Sequence, residues 1–176
     1  MNLIVYGSLI NMDELREMGN LEKDIEELVP IRIRFFKRLF NKKSSKRSGE
    51  GNKIGVLNVE YTSSESDFFN GILLTHMRRE AEKAFNKREI GYTLTKVKRS
   101  FMNPYNRAWR INEDAYVYTA LEHVKSSNIE PIPGYAELCL KGAKEWGEIF
   151  FRDFIESTYD AQGRLFYKTE DWKLKF

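Results

Sequence analysis

The stretch Thr75-His-Met-Arg-Arg-Glu-Ala-Glu-Lys-Ala-Phe-Asn-Lys-Arg-Glu89-Ile-Gly-Tyr-Thr-Leu-Thr95 passes from a helical pattern to a strand pattern and leaves a carboxylate at the join. Met77, Ala81, Ala84 and Phe85 recur at helical spacing, so a helix is expected to run out at Arg88. The turn Ile90-Gly91 and the strand-like Tyr92-Thr93-Leu94-Thr95 follow. Glu89 lies four residues beyond Phe85 and so continues the apolar face, whereas Arg78, Arg79, Lys83 and Lys87 form the wet one. A carboxylate on a buried face costs free energy unless it is paired or protonated. A helix C-terminus is also unfavourable to negative charge. Both effects raise its pKa toward the range in which it can accept and return protons near neutral pH. The alternative is a Glu in a last helical turn, paired with a neighbouring Lys or Arg.

Outward from this stretch, strands are expected at Leu3–Tyr6, Ile31–Leu39, Ile54–Tyr61, Phe68–Leu74, Tyr92–Arg99 and Ala115–His123. Helices are expected at Met12–Met18, Leu21–Leu28, Met77–Arg88, Tyr135–Trp146 and Ile149–Thr158. Strand runs with single interposed helices indicate an α+β fold with a curled, mixed sheet. No repeat or linker divides the chain, and 176 residues suit a single domain, 1–176, with 160–176 as a C-terminal tail. That tail carries Phe166, Tyr167, Trp172 and Phe176, enough apolar surface that it is expected to dock on the body.

One cysteine, Cys139, excludes an internal disulfide framework and suits a reducing compartment. The start, Met-Asn-Leu-Ile-Val-Tyr-Gly, lacks a basic n-region, and its apolar run is too short for a membrane span. A soluble, cytoplasmic protein is therefore expected, with no membrane partner. Two histidines, His76 and His123, and one cysteine speak against a zinc site; counting leaves a carboxylate-bound magnesium open.

The net charge of +3 is unevenly spread. Asp13 to Glu27 holds seven acids and two bases, whereas Arg32 to Arg47 holds eight bases and no acid. Phe35, Phe36 and Phe40 lie inside the basic run, the pattern of a nucleic-acid surface. Yet Ile31, Ile33 and Phe35 alternate with Arg32 and Arg34 as in a half-buried strand. The stretch Asn41 to Gly51 then reads as a solvated hairpin loop. A wet strand face plus loop is the expectation, with nucleic acid as the competing one, and the loop could steer an anionic substrate.

Two further elements carry functional signals. The run Leu3-Ile4-Val5 leads into Tyr6-Gly7-Ser8-Leu9, where glycine permits a sharp turn. Asn11 can then cap a helix opening with Asp13 and Glu14, with Gly19 to close it. Free amides at such a junction form a donor site for an anion or a developing oxyanion. No second glycine follows Ser8 as a nucleophile elbow requires. Pro131-Ile132-Pro133-Gly134-Tyr135 rigidifies the entry to another helix and places a phenol in its first turn.

Together these pieces resemble the gamma-glutamylcyclotransferase-like family. Its hallmark is a Tyr-Gly-Ser loop after the first strand, here Tyr6-Gly7-Ser8-Leu9. A Gly-hydrophobic strand follows, here Gly71-Ile72-Leu73-Leu74, and then a helix ending in an essential glutamate, here Arg88-Glu89-Ile90-Gly91-Tyr92. Last comes a Pro-x-x-Tyr segment entering a helix with Gly-Ala, here Pro131 to Tyr135 and Lys141-Gly142-Ala143-Lys144. The motifs run in order from Met1 to about Tyr159. The resemblance implies a small mixed β-barrel flanked by helices, with Glu89 as proton acceptor. It places Tyr6, Gly7, Ser8 and Leu9 in the substrate loop and Tyr92 and Tyr135 at the cavity. It also implies no cofactor, no metal, and a monomer or homodimer. Glutathione-specific relatives usually continue the loop with a Trp-Pro-type pair that Ile10-Asn11-Met12 lacks.

The implied reaction is release of 5-oxoproline and a free amine from a small γ-glutamyl amide or dipeptide. The α-amine attacks its own γ-carbonyl, so holding one folded conformer removes much of the entropic barrier. Proton traffic remains, and one carboxylate of raised pKa can carry it. The competing expectations are a non-catalytic small-ligand binding module on the same fold and nucleic-acid binding through Arg32–Arg47.

Overall fold

A strand order that keeps the first strand central decides where the site lies. The computed structural model describes residues 1–18, 21–47 and 49–168. Its elements, in chain order, are β1 (Leu3–Val5), α1 (Met12–Arg16), α2 (Leu21–Asp24), β2 (Leu28–Arg34), β3 (Phe36–Lys43), β4 (Gly55–Tyr61) and β5 (Phe68–Leu74). Then come α3 (Arg79–Arg88), β6 (Tyr92–Val97), β7 (Met102–Pro104), β8 (Ala115–Ala120), α4 (Pro133–Glu145), α5 (Glu148–Glu156) and β9 (Thr158–Tyr159). A 3-10 turn, Ser8–Ile10, links β1 to α1. Asn11 caps α1, its Oδ1 accepting from the Glu14 amide at 3.2 Å.

The strands form a six-stranded sheet, β6-β8-β1-β5-β2-β7, and a three-stranded one, β4-β3-β9. β1 runs parallel to β8 and antiparallel to β5, so the chain leaving Val5 emerges beside the carboxyl end of β8. β6 pairs with β8 in the opposite sense, which sets Tyr92 beside Ala120 at that same end. The sheets curl toward each other where β3 meets β5 and β4 meets β8. Two polar ties join them: the Ala120 amide donates to Asn58 Oδ1, and the Tyr92 hydroxyl to the Leu57 carbonyl, both at 2.7 Å. The expected α+β class with a mixed, curled sheet is the architecture found.

The single strand expected over Ile31–Leu39 is two strands in different sheets. Phe35 sits at the corner with φ of 68°, held by its amide to the Asp67 carbonyl and by the Thr62 amide to its own carbonyl. The corner shifts the inward positions from odd to even. Ile31 and Ile33 are fully buried before it, and Phe36, Arg38 and Phe40 after it. Alternation resumes on either side, so periodicity alone missed the break.

The expected wet face and loop are corrected for Arg38 and Lys42, which are 0% and 2% exposed, and Asn41 is buried too. β3 is the middle strand of its sheet and runs to Lys43, further than a loop from Asn41 would allow. Arg38 is held by neutral oxygens. Nε donates to Thr158 Oγ1 and Nη1 to the Asn70 carbonyl, and Nη2 reaches Asn70 Oδ1, the Phe154 carbonyl and Ser157 Oγ. Its guanidinium also lies 3.7 Å from the Phe154 ring centre. Burial pushes its pKa down to about 9, which leaves it charged at neutral pH.

Smaller differences have local causes. The expected helix Leu21–Leu28 stops at Asp24 because Leu28 already pairs with Leu74 in β2. The Met77–Arg88 helix begins at Arg79, since the Met77 amide is taken by the Met1 carbonyl and His76 has φ of 47°. β7 and β9 are too short for periodicity to reveal. In the expected tail, Phe166 is buried with its ring 4.5 Å from that of Phe40. Gly19, Ser48, Trp172 and Phe176 lie outside the described residues. Among the described residues, no helix is long and apolar enough to cross a membrane.

Candidate functional site

Packing brings the carboxyl end of β1, the end of α3 and the start of α4 together around a cavity of about 320 Å³. Gly142 makes this approach possible. A Cβ there would lie 2.6 Å from the Asn11 amide nitrogen, so only glycine lets α4 sit against the turn that follows β1. Gly7 meets α4 in the same way, because a Cβ would fall 2.5 Å from the Tyr135 hydroxyl oxygen. In the turn, the first internal amide bonds are Ile10 to the Gly7 carbonyl and Asn11 to that of Ser8. The amides of Ser8 and Leu9 precede them, the positions a helical turn leaves without internal acceptors.

All seven residues singled out in the sequence line this one cavity: Tyr6, Gly7, Ser8, Leu9, Glu89, Tyr92 and Tyr135. Glu89 is the C-cap of α3, with its side chain 17% exposed. Burial raises its carboxyl above the usual range, and the positive charges of Arg88, Lys46 and Lys42 oppose that rise. Its polar side-chain contact among the described residues is Arg88 Nε at 3.7 Å, beyond hydrogen-bonding distance. The carboxylate therefore retains accepting capacity toward the cavity.

The tyrosines are more tightly held. Tyr6 donates to the Tyr118 carbonyl at 2.7 Å, and Tyr118 donates to Asn86 Oδ1 at 2.6 Å. Burial raises the pKa of Tyr6, Tyr92 and Tyr135 well above the ordinary value, so they act as neutral donors and acceptors near neutral pH. Cys139, below Tyr135, is fully buried with its thiol pushed up to about 12, a small hydrophobe rather than a nucleophile.

Sequence reasoning did not place the charged wall of the cavity. Glu14 Oε2 accepts from Arg88 Nη2 at 2.8 Å and Arg47 Nη2 at 3.0 Å, tying α1 to the end of α3 and to the β3–β4 loop. Arg88 also reaches Ser8 Oγ at 3.3 Å, which fixes the turn relative to Glu89. Lys42, Lys46 and Arg47 line the cavity from the basic segment. The run of eight bases was the signal for them, but only the bulge between Leu39 and Lys42 and the corner at Phe35 decide which face each one takes. Neither His76 nor His123 lines the cavity, and His76 Nδ1 lies 2.8 Å from Glu26 Oε2.

The structure is similar to that of a gamma-glutamyl cyclotransferase, with a TM-score of 0.59 and 16% identity over 82% of this chain and 78% of that one. It is also similar to YkqA from Bacillus subtilis, with a TM-score of 0.64 and 16% identity over 86% of this chain. The match covers 51% of YkqA, so this chain spans about half of that protein. A third likeness is to a gamma-glutamyl cyclotransferase specific to glutathione from yeast, at a TM-score of 0.52 and 11% identity over 89% of this chain and 96% of that one. No family model and no curated protein matches the sequence. At these identities the likenesses establish the fold.

Proposed function

We propose that this chain, which has the gamma-glutamylcyclotransferase-like fold, is a cofactor-independent cyclotransferase releasing 5-oxoproline from a small γ-glutamyl amide or dipeptide. The observation that carries this reading is Glu89: a carboxylate of raised pKa with unused accepting capacity, facing a cavity about the size of a small peptide ligand.

The substrate's α-ammonium gives a proton to Glu89, and the freed amine attacks the γ-carbonyl to close a five-membered ring. The cavity holds the folded conformer, which removes most of the entropic cost of closure. Amides of the Gly7-Ser8-Leu9 turn bind the substrate carboxylate or the developing oxyanion. Tyr6, Tyr92 and Tyr135, neutral and fixed, shape the walls around the glutamyl group. The proton taken by Glu89 is the one the leaving nitrogen needs for C–N cleavage.

The buried positions of Arg38 and Lys42 weigh against the nucleic-acid reading, since two of the eight bases in the run are withheld from phosphates. The test is incubation with a panel of γ-glutamyl amines, amino acids and peptides, with 5-oxoproline detected by mass spectrometry. Turnover that depends on Glu89 is the expected result. Binding without 5-oxoproline from any member would favour the non-catalytic module.

A further inference from the structure

The cavity holds a second buried titratable group that the reaction described above does not use. Lys42 is 2% exposed, yet its ammonium meets no carboxylate within ion-pair distance among the described residues. One proton goes to the Lys43 carbonyl at 3.1 Å, and the nitrogen lies 4.5 Å from the Tyr92 ring centre. The side chain runs under the turn after Glu89. Gly91 has φ of 80°, and a Cβ there would lie 3.4 Å from Lys42 Cε and 3.5 Å from Nζ. Lys42 and Glu89 thus line one cavity, with the Lys42 side chain packed against the turn that follows Glu89. An ammonium with unspent donors is costly at such depth unless it serves something in the cavity.

We infer that Lys42 is the general acid that protonates the leaving nitrogen, with Glu89 returning to Lys42 the proton it took from the substrate. This rests on the cyclotransferase reading and divides its proton traffic between two groups. One α-ammonium proton passes to Glu89, and the nitrogen lone pair forms the new C–N bond. The ring nitrogen loses its second proton to water. The old C–N bond breaks with its electron pair going to the leaving nitrogen, which takes a proton from Lys42 and departs as a neutral amine, later protonated by water. Glu89, now neutral and beyond direct reach, passes its proton through a water to the Lys42 amine, and both groups are reset. Burial lowers the ammonium pKa of Lys42 against the opposing pull of Glu89, which makes it a better donor than a surface lysine.

Lys42 feels the charge of Glu89 from the end of α3 and lies over the Tyr92 ring of β6. Tyr118 of β8, Lys46 and Arg47 of the β3–β4 loop, Arg88 of α3 and Glu14 of α1 line the same cavity. Lys125 bridges Lys42 through the backbone, and that ammonium is held by Glu60 and Glu122. The test compares γ-glutamyl-ethylamide, whose leaving nitrogen depends strongly on a proton donor, with γ-glutamyl-p-nitroanilide, whose nitroaryl ring delocalises the developing negative charge on nitrogen and makes cleavage much less dependent on one. Lys42→Met should lower kcat about 100-fold on the ethylamide and only about threefold or less on the anilide. The ratio comes from one preparation, so partial unfolding cancels. Lys42→Arg keeps the charge but cannot release a proton, and should show the same selective loss. The wild-type alkaline limb should be pronounced for the ethylamide and much weaker for the anilide. Equal loss on both compounds, or full rescue of the ethylamide by Lys42→Arg, would overturn the role and leave the cyclotransferase reading standing. No 5-oxoproline from either compound or from any member of the panel above with wild-type protein would remove both.

Discussion

Arg38 and Glu89 are both buried charges at helix C-termini, and they are treated in opposite ways. Arg38 lies at the end of α5, where the macrodipole favours a cation, and its guanidinium donates to five neutral oxygens. Glu89 lies at the end of α3, where the dipole opposes an anion, and no donor hydrogen-bonds its carboxylate among the described residues. The first arrangement stitches β3 to β5, α5 and β9. The second leaves a charge poorly compensated beside a cavity, which is costly to the fold and useful for proton transfer. Satisfied burial marks a structural charge here, and the accepting capacity left to Glu89 is what the proposed proton transfer requires.

The largest effect should come from the satisfied charge. Arg38→Met strands several buried acceptors at once and should destabilise the protein by about 3–5 kcal/mol, read from denaturant unfolding. A loss under about 1 kcal/mol would show that the network is not structural. Glu89→Gln should do the reverse. The fold should survive, while 5-oxoproline formation falls by about 100-fold or more. Burial holds the folded-state pKa of Glu89 above the usual carboxylate range, so its ionisation in the fold costs stability. That cost is absent below the unfolded pKa and complete above the folded one. The stability advantage of Glu89→Gln over wild type should therefore grow as pH rises through this window. An advantage that shrinks with rising pH would remove the proposed environment of Glu89.

Gly7→Ala should reduce turnover about tenfold by forcing Tyr135 from its place, given the 2.5 Å approach. Adding Tyr135→Phe, which removes the clashing oxygen, should recover part of that loss. No recovery would mean that the turn itself, rather than its contact with α4, is disturbed. Glu14→Gln should have a smaller effect, raising KM a few-fold as Arg47 and Arg88 lose their shared anchor. The smallest expected effect is none: thiol alkylation under native conditions should leave both charges and the turnover unchanged, because Cys139 is enclosed. Rapid inactivation by a thiol reagent would mean that the α4 face opens.

The outline of the site was legible because its signals are local. Glu89 is out of place in a helix whose apolar face it extends, and Tyr6-Gly7-Ser8-Leu9 ends a short apolar run at a glycine. Pro133 and Tyr135 announce a rigid helix start, and the structure begins α4 at Pro133. These residues came together because each lies at the end of an element, where a break in pattern is visible. The basic segment was not legible in this way. Arg38 and Lys42 look like their exposed neighbours in composition, and the parity slip at Phe35 leaves no mark on the alternation.

The sequence by itself determined the α+β class and the junctions at Tyr6–Leu9, Glu89 and Pro133–Tyr135, all of which depend on propensity and spacing within a few residues. Only the tertiary structure decided that Lys42 and Lys46 act on the Glu89 carboxylate and that Glu14 ties Arg88 and Arg47 into one wall of the cavity. It also decided that Arg38 serves the core while Lys42 serves the cavity. Burial and Coulomb interactions act through distances in space. Residues separated by tens of positions acquire those distances only when the two sheets close on each other.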